Sequence, residues 1–153
     1  MPAFDKLDRS ILELIQEDGR LSNAELAGRV GLSPPACWKR LKKLEDEYIA
    51  GYHAHLKPKA LGLGVFAFVS ITLDGHSEEL SDCFEKGVQT IPNIVACHNI
   101  SGRYDYVLQV VAKDMEEFHE LTMRKIRRLG NVKEMNTSFS LKQIKLSACL
   151  PLE

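Results

Sequence analysis

The alternation of apolar and polar positions changes period about a third of the way along the chain. Up to Glu47 the apolar residues recur at helical spacing. Leu7, Ile11, Leu14 and Ile15 predict a helix over 6–18 that ends at Gly19. Leu26 and Val30 give a second helix its apolar face, with Ser22 and Glu25 placed as a capping box and Gly31-Leu32 as the turn after it. Ser33 is expected to cap a third helix, with Pro34 where a missing N–H costs nothing. In that third helix Cys37, Leu41 and Leu44 fall on one narrow stripe at about 100° per residue. Lys39, Lys42 and Lys43 lie on the opposite face with Pro35, and Trp38 and Arg40 occupy the flanks. Residues 49–56 read as a strand that follows, so the first third of the chain is expected to be a winged three-helix unit.

A Pro- and Gly-rich stretch, 57–64, reads as a hinge. After it the period becomes that of a strand. Val65, Ala67, Val69, Ile71 and Leu73 share one face and Phe66 and Phe68 the other, so both faces of this strand are expected to be covered. Leu80, Cys83, Phe84, Val88 and Ile91 predict a helix over 77–90 that Pro92-Asn93 ends. Strands follow at 94–100 and 105–112, joined by a turn at 101–104. Asp114 should cap a helix carrying Met115, Phe118, Leu121, Ile126 and Leu129 inward, with Gly130-Asn131 closing it, and 132–140 is the last main strand. The order β-α-β-β-α-β is that of a ferredoxin-like sandwich, so the fold class is α+β. The domains are expected at 1–56 (helix-turn-helix about 23–42) and 65–153. Two helices on one face of a four-stranded sheet leave Phe66 and Phe68 on the other, and a second copy is the cheapest cover for an exposed aromatic face.

The helix-turn-helix carries the candidate chemistry. The second helix of such a unit usually enters the major groove of DNA. The side chains expected to meet DNA are Ser33, Pro35, Ala36, Trp38, Lys39, Arg40, Lys42 and Lys43. Trp38 reads equally as an aromatic flanking the core. Arg40 lies only about 60° from the apolar stripe, so a structural ion pair competes with a phosphate contact.

Composition narrows the class without naming it. Hydrophobic content of 44% fits a packed globular chain. No uninterrupted apolar run reaches membrane-spanning length, and the N-terminal residues are too charged for a secretion signal, so the cytoplasm is the expected compartment. Net charge is −1, with the positive charge concentrated at Lys39, Arg40, Lys42 and Lys43. So weak an overall charge implies DNA affinity that depends on more than one such helix per particle. Cys37, Cys83, Cys97 and Cys149 are scattered and form no C-x-x-C pair; they read as reduced and mostly buried.

The motifs L-D-R-S-I-L-E-L-I-Q-E-D-G-R-L-S-N-A-E-L-A (7–27), V-G-L-S-P-P-A-C-W-K-R-L-K-K-L-E (30–45), G-Y-H-A-H-L-K-P-K-A-L-G (51–62) and S-G-R-Y-D-Y (101–106) occur in order over nearly the whole chain. Together they resemble the Lrp/AsnC, or feast/famine, transcriptional regulators. The C-W-K-R form, with the ending Q-I-K-L-S-A-C-L-P-L (143–152), looks like a subgroup tied to cysteine or related amino-acid metabolism. The resemblance implies a winged helix-turn-helix and an ACT-like ligand-sensing sandwich. It also implies a DNA-binding transcriptional regulator of amino-acid metabolism genes that needs no metal or organic cofactor. Dimers that assemble further, commonly into octamers, and an amino-acid effector bound between neighbouring dimers are implied too. The positions matching that pocket are Asn99, Gly102, Tyr104, Asp105, Met115, Ser138 and Ser140. For an amino acid, Asp105 offers an acceptor for the ammonium group. Backbone N–H groups around Gly102 offer donors to the carboxylate, and Ser138 and Ser140 add hydroxyls. By spacing alone, 102–105 reads as a plain hairpin turn. In one respect the chain departs from the family: between Leu44 and Gly51 it looks one residue short and lacks the usual glycine. A left-handed cap would be costly for Tyr48, so the third helix is expected to end differently and to set the wing at an altered angle.

Three other readings meet obstacles in the sequence. Certain tetrapyrrole decarboxylases resemble the family in fold, but no Ser-His-Asp or paired-carboxylate spacing stands out, and an enzyme has no use for the lysine-rich helix. His53 and His55 offer two metal ligands at most, and Cys97 and His98 point to opposite faces of a strand. An RNA-binding sheet needs exposed aromatics on its central strands, for which Phe66 and Phe68 are candidates unless a dimer covers them.

Overall fold

The computed structural model describes residues 5–75, 77–145 and 149–152. The chain divides into two compact units. One comprises Met1–His55 with Lys145–Glu153, the other Leu56–Ile144. The end of the chain therefore belongs to the helical unit and not, as the expected span 65–153 has it, to the sheet unit. Burial explains this: Leu152 packs against the helical core.

The helical unit contains α1 (Lys6–Glu17), α2 (Asn23–Val30) and α3 (Pro34–Glu47). Asp5 and Asp8 form a reciprocal capping box at the start of α1. Ser22 and Glu25 form another at α2, which ends on Gly31 in the left-handed region at φ 71°. Ile11, Leu12, Ile15, Leu26, Ala27, Cys37 and Leu44 make the core, so the predicted stripe of α3 is the face that is buried, with Leu41 partly covered at its edge.

Three details depart from the pattern. Ser33 occupies the N-cap of α3, yet its side chain makes no capping hydrogen bond. Pro34 and Pro35 occupy N1 and N2, so of the N2 and N3 N–H groups that such a cap serves only that of Ala36 remains. Gly19 is not a left-handed terminator of α1, whose cap is Asp18 in extended conformation; a Cβ at Gly19 would lie 3.1 Å from Tyr52 Cδ1, so glycine permits a close approach there. Residues 49–56 form no strand. A strand needs a neighbour for its N–H and C=O groups, and a single chain gives this segment none. Tyr52 anchors it, donating a hydrogen bond to Glu45 Oε1 at 3.1 Å. As expected without the glycine, α3 ends without a left-handed residue: Tyr48 has φ −130°, and the N–H groups of Tyr48 and Ile49 both donate to the Leu44 carbonyl.

The sheet unit opens with a short 3-10 turn, Pro58–Leu61, in the predicted hinge. It then runs β1 (Val65–Leu73), α4 (Glu78–Gln89), β2 (Ile94–Asn99), β3 (Tyr106–Ala112), α5 (Met115–Glu120) and β4 (Val132–Phe139). The strands are antiparallel in the order β2-β3-β1-β4, the ferredoxin-like arrangement. Ala67, Val69 and Ile71 of β1 and Tyr106, Leu108 and Val110 of β3 face inward against Phe84, Val88, Phe118, Leu121 and Ile126. The helix expected to run unbroken from Met115 to Leu129 gives way to a π-turn at Leu121–Lys125 and a 3-10 turn at Ile126–Arg128. Thr122 accounts for the change: its buried hydroxyl donates back to the carbonyls of Phe118 and His119, competing with the regular ladder. Gly130 and Asn131 then turn the chain with positive φ, and a Cβ at Gly130 would fall 2.9 Å from Phe84 Cβ. On the outer face of the sheet Phe66 and Phe68 meet edge to face at 5.4 Å, and Phe68 is exposed.

Candidate functional site

The outer face of α3 presents Ser33, Pro35, Ala36, Trp38, Lys39, Lys42 and Lys43 to solvent. Trp38 is 55% exposed, which removes it from the core. Lys42 pairs with Glu45 at 2.9 Å, an interaction that raises the lysine pKa and lowers that of Glu45, and Lys43 reaches Glu47 at 4.0 Å. Exposed pairs of this kind are weak and leave the ammonium groups free to exchange a carboxylate for a phosphate. Lys39 has no ion pair among the described residues.

Arg40 is different. Its Nη1 lies 2.8 Å from Asp5 and 2.7 Å from Asp8, and Asp8 is buried. The guanidinium joins α3 to the capping box of α1, the structural ion pair that competes with a phosphate contact in the expectation for this residue. The Asp8 backbone N–H and then the Arg40 guanidinium hold the Asp5 carboxyl below its usual range; Asp8 and then Asp5 push Arg40 up. Asn23 supplies a second brace, its amide donating to the Pro34 carbonyl at 2.9 Å. Sequence reading missed Asp5, Asp8 and Asn23 as partners of α3. The signal was present in the D-K-L-D box and in the angle of Arg40 beside the apolar stripe.

The positions matched to an effector pocket divide into two groups. Asn99, Gly102, Tyr104 and Asp105 stand at the turn between β2 and β3. There the Asn99 side chain donates to the Asp105 carbonyl at 3.2 Å, and Gly102 has φ 123° with open space where a side chain would be. Arg103 lies over the Tyr104 ring at 5.1 Å and pairs with Glu134 at 3.0 Å. Met115 and Ser140 stand at the other end of the sheet, where Val65 pairs with Ala112, and Ser138 lies at its middle, opposite Phe68, which pairs with Gln109. The length of β3, about 20 Å, separates the turn from Met115 and Ser140. Asp105 is not simply a free acceptor: its Oδ2 accepts from the Leu73 N–H at 2.8 Å, joining β3 to β1. Ser138 faces outward with Phe68, whereas Met115 borders a cleft on the helix side. That cleft, of about 460 Å³, has Phe118, Met123, Met135 and Phe139 among its lining residues.

Among the described residues, no three His, Cys, Asp or Glu side chains gather where they could hold a metal ion. The outer face of central strand β3 carries Val107, Gln109 and Val111 in place of stacking aromatics, so an RNA platform would rest on β1 alone. All four cysteines are free thiols, and Cys83 and Cys149 are exposed, against the expectation that most are buried. No helix among the described residues is long and apolar enough to cross a membrane.

Comparison with known proteins agrees with this layout. Residues 66–149 match the Lrp/AsnC ligand binding domain and residues 4–47 a winged helix-turn-helix DNA-binding family. The chain is 39% identical over 151 residues to the DNA-binding transcriptional activator DecR of Escherichia coli K12, covering 98% of this chain and 99% of that protein. It is 38% identical over 145 residues to the leucine-responsive regulatory protein of the same organism, covering 94% and 88%. A transcriptional regulator from Neisseria meningitidis, solved as its L-Met complex, superposes with a TM-score of 0.93 at 37% identity over 97% of each chain. These relatives are regulators and not enzymes. With both halves matched in order and the outer face of α3 exposed, the chain belongs to the Lrp/AsnC family of DNA-binding transcriptional regulators.

Proposed function

We propose that this regulator senses an amino acid at a pocket completed only between copies of the chain, and that occupancy changes its hold on operator DNA. The observation that carries the reading is the distance along one sheet between the β2–β3 turn and the other matched positions, Ser138 at its middle and Met115 and Ser140 at its far end. A small zwitterion cannot span that distance on a single sheet. The turn at Gly102 and Asp105 of one copy must meet residues of another copy. The L-Met complex of the Neisseria regulator supports an amino acid as ligand class.

The outer sheet face with Phe66 and Phe68 is the surface for a dimer, and the divided pocket draws dimers into a larger ring, with an octamer as the expected closed form. A dimer carries two α3 helices to two half-sites. Ser33, Pro35, Ala36, Trp38, Lys39, Lys42 and Lys43 make the contacts, with the lysines on phosphates and the first turn nearest the bases. The assembly needs no metal or organic cofactor, works in the cytoplasm and controls amino-acid metabolism genes. The ligand acts through the difference in its affinity for two assembly states.

Isothermal calorimetry with L-methionine and then the other amino acids, beside DNA titrations at fixed salt, tests this. The expected result is one amino acid that binds and shifts DNA affinity at least severalfold. A protein that binds DNA while ignoring every amino acid overturns the sensing half.

A further inference from the structure

The sheet unit is entered at Leu56 and left at Ile144, and the segments on both sides belong to the helical unit. The second return is built on one residue. Gln16, near the end of α1, donates through Nε2 to the Leu150 carbonyl at 3.2 Å and accepts the Leu150 N–H at Oε1. A side-chain amide thus reads both polar groups of one backbone residue, as a neighbouring strand would. Cys149 Sγ donates to the Gln16 carbonyl at 3.5 Å, and Leu152 packs onto the helical core.

We propose that Cys149–Leu152 is a docked strap, a second tether beside the 57–64 hinge, through which the state of the DNA-binding helices is transmitted to β4. One flexible connection lets two units reorient independently; a second closes a loop and limits the orientations they share. The strap reaches β4 along the same chain that carries Ser138 and Ser140. Its hold comprises the Gln16 amide pair, the Cys149 thiol and the half-buried Leu152. Docked and released forms of so short a segment would supply the two states that a transmission device requires. Coupling of this kind is reciprocal, so DNA bound at α3 must be felt at β4.

Hydrogen exchange on the full-length protein, with and without a saturating non-specific duplex at low salt, tests the strap without any effector. In the wild type the duplex should slow exchange of the β4 amides. Gln16→Leu, close in shape but unable to make either bond, should lose most of that protection while holding DNA within about twofold of the wild-type affinity. A chain ended after Lys145 should behave the same way, which guards against a folding defect in the point variant. The strap is refuted if DNA protects β4 equally in Gln16→Leu and the wild type, or fails to protect it in the wild type. It is refuted too if Gln16→Leu weakens DNA binding itself, since the contact would then be part of the DNA-binding head.

Discussion

Arg40 of α3 and Asp8 of α1 meet at 2.7 Å, tying the lysine-bearing helix to the first turn of α1. The carboxylate is buried and also caps its own helix, accepting a hydrogen bond from the Asp5 N–H. Removing Arg40 would leave that carboxylate without its cation. Arg40→Ala should therefore lower Tm, and Arg40→Ala with Asp8→Ala should be less damaging than the two single losses added. A double-mutant cycle by thermal melting measures this. Strict additivity would show that the pair adds nothing to stability.

Lys39 is the simplest probe of the DNA face, having no ion pair among the described residues. Lys39→Ala should weaken binding to all duplexes alike and flatten the plot of log affinity against log salt by about 0.9 per helix bound. Lys42→Ala should do less, because its ammonium group must first leave Glu45. Fluorescence anisotropy across a salt series separates the two.

Asp105 supports β1 as well as facing the turn, so its test needs a conservative change. Asp105→Ala removes the acceptor of the Leu73 N–H and destabilises the sheet. Asp105→Asn keeps an acceptor oxygen and removes the charge that would meet an ammonium group. At a hundredfold excess over Kd, a bound amino acid contributes about 2.7 kcal/mol to stability. That thermal shift should vanish in Asp105→Asn while low-salt DNA binding stays intact. An undiminished shift would assign the ammonium group elsewhere.

Tyr52 marks the alkaline end. Burial first, and the Glu45 carboxylate second, push the Tyr52 hydroxyl from 10.0 up to about 12. The folded state holds this proton more tightly than the unfolded chain. Its contribution to stability is complete below pH 10 and is lost as pH rises through about 12. In a phenolate absorbance titration, Tyr52→Phe should delete the latest of the tyrosine transitions, and stability should fall less steeply above pH 10 than in the wild type.

The sequence made the helix-turn-helix legible because its signals are local. The Ser22–Glu25 box, Gly31 and the stripe of Cys37 and Leu44 each lie within one or two turns of chain. The sheet was legible for a similar reason: inward alternation in β1 survives unaltered, as Ala67, Val69 and Ile71 show. What escaped depended on distant partners. Nothing near Gln16 in sequence announces Leu150. The strand predicted at 49–56 has the right composition but no neighbour in one chain. The break in α5 rests on the single hydroxyl of Thr122. The pocket residues could be named by resemblance, yet their spread along the sheet appears only once the register is known.

Phe68 tests whether assembly carries affinity. It stands exposed on central strand β1, in edge contact with Phe66 and opposite Ser138 on the same outer face. A charge at this position is tolerated by a solvated monomer but costly between two stacked sheets. Phe68→Glu should therefore leave the thermal fold of the chain largely intact while shifting sedimentation toward the monomer. With only one α3 per particle the second half-site is no longer bound in the same event, and affinity for a two-site operator should fall by about a hundredfold or more. Affinity for a single half-site should barely change. A variant that still sediments as the wild type would move the dimer surface away from this face, and loss on the half-site as well would mean that the substitution had damaged the head itself.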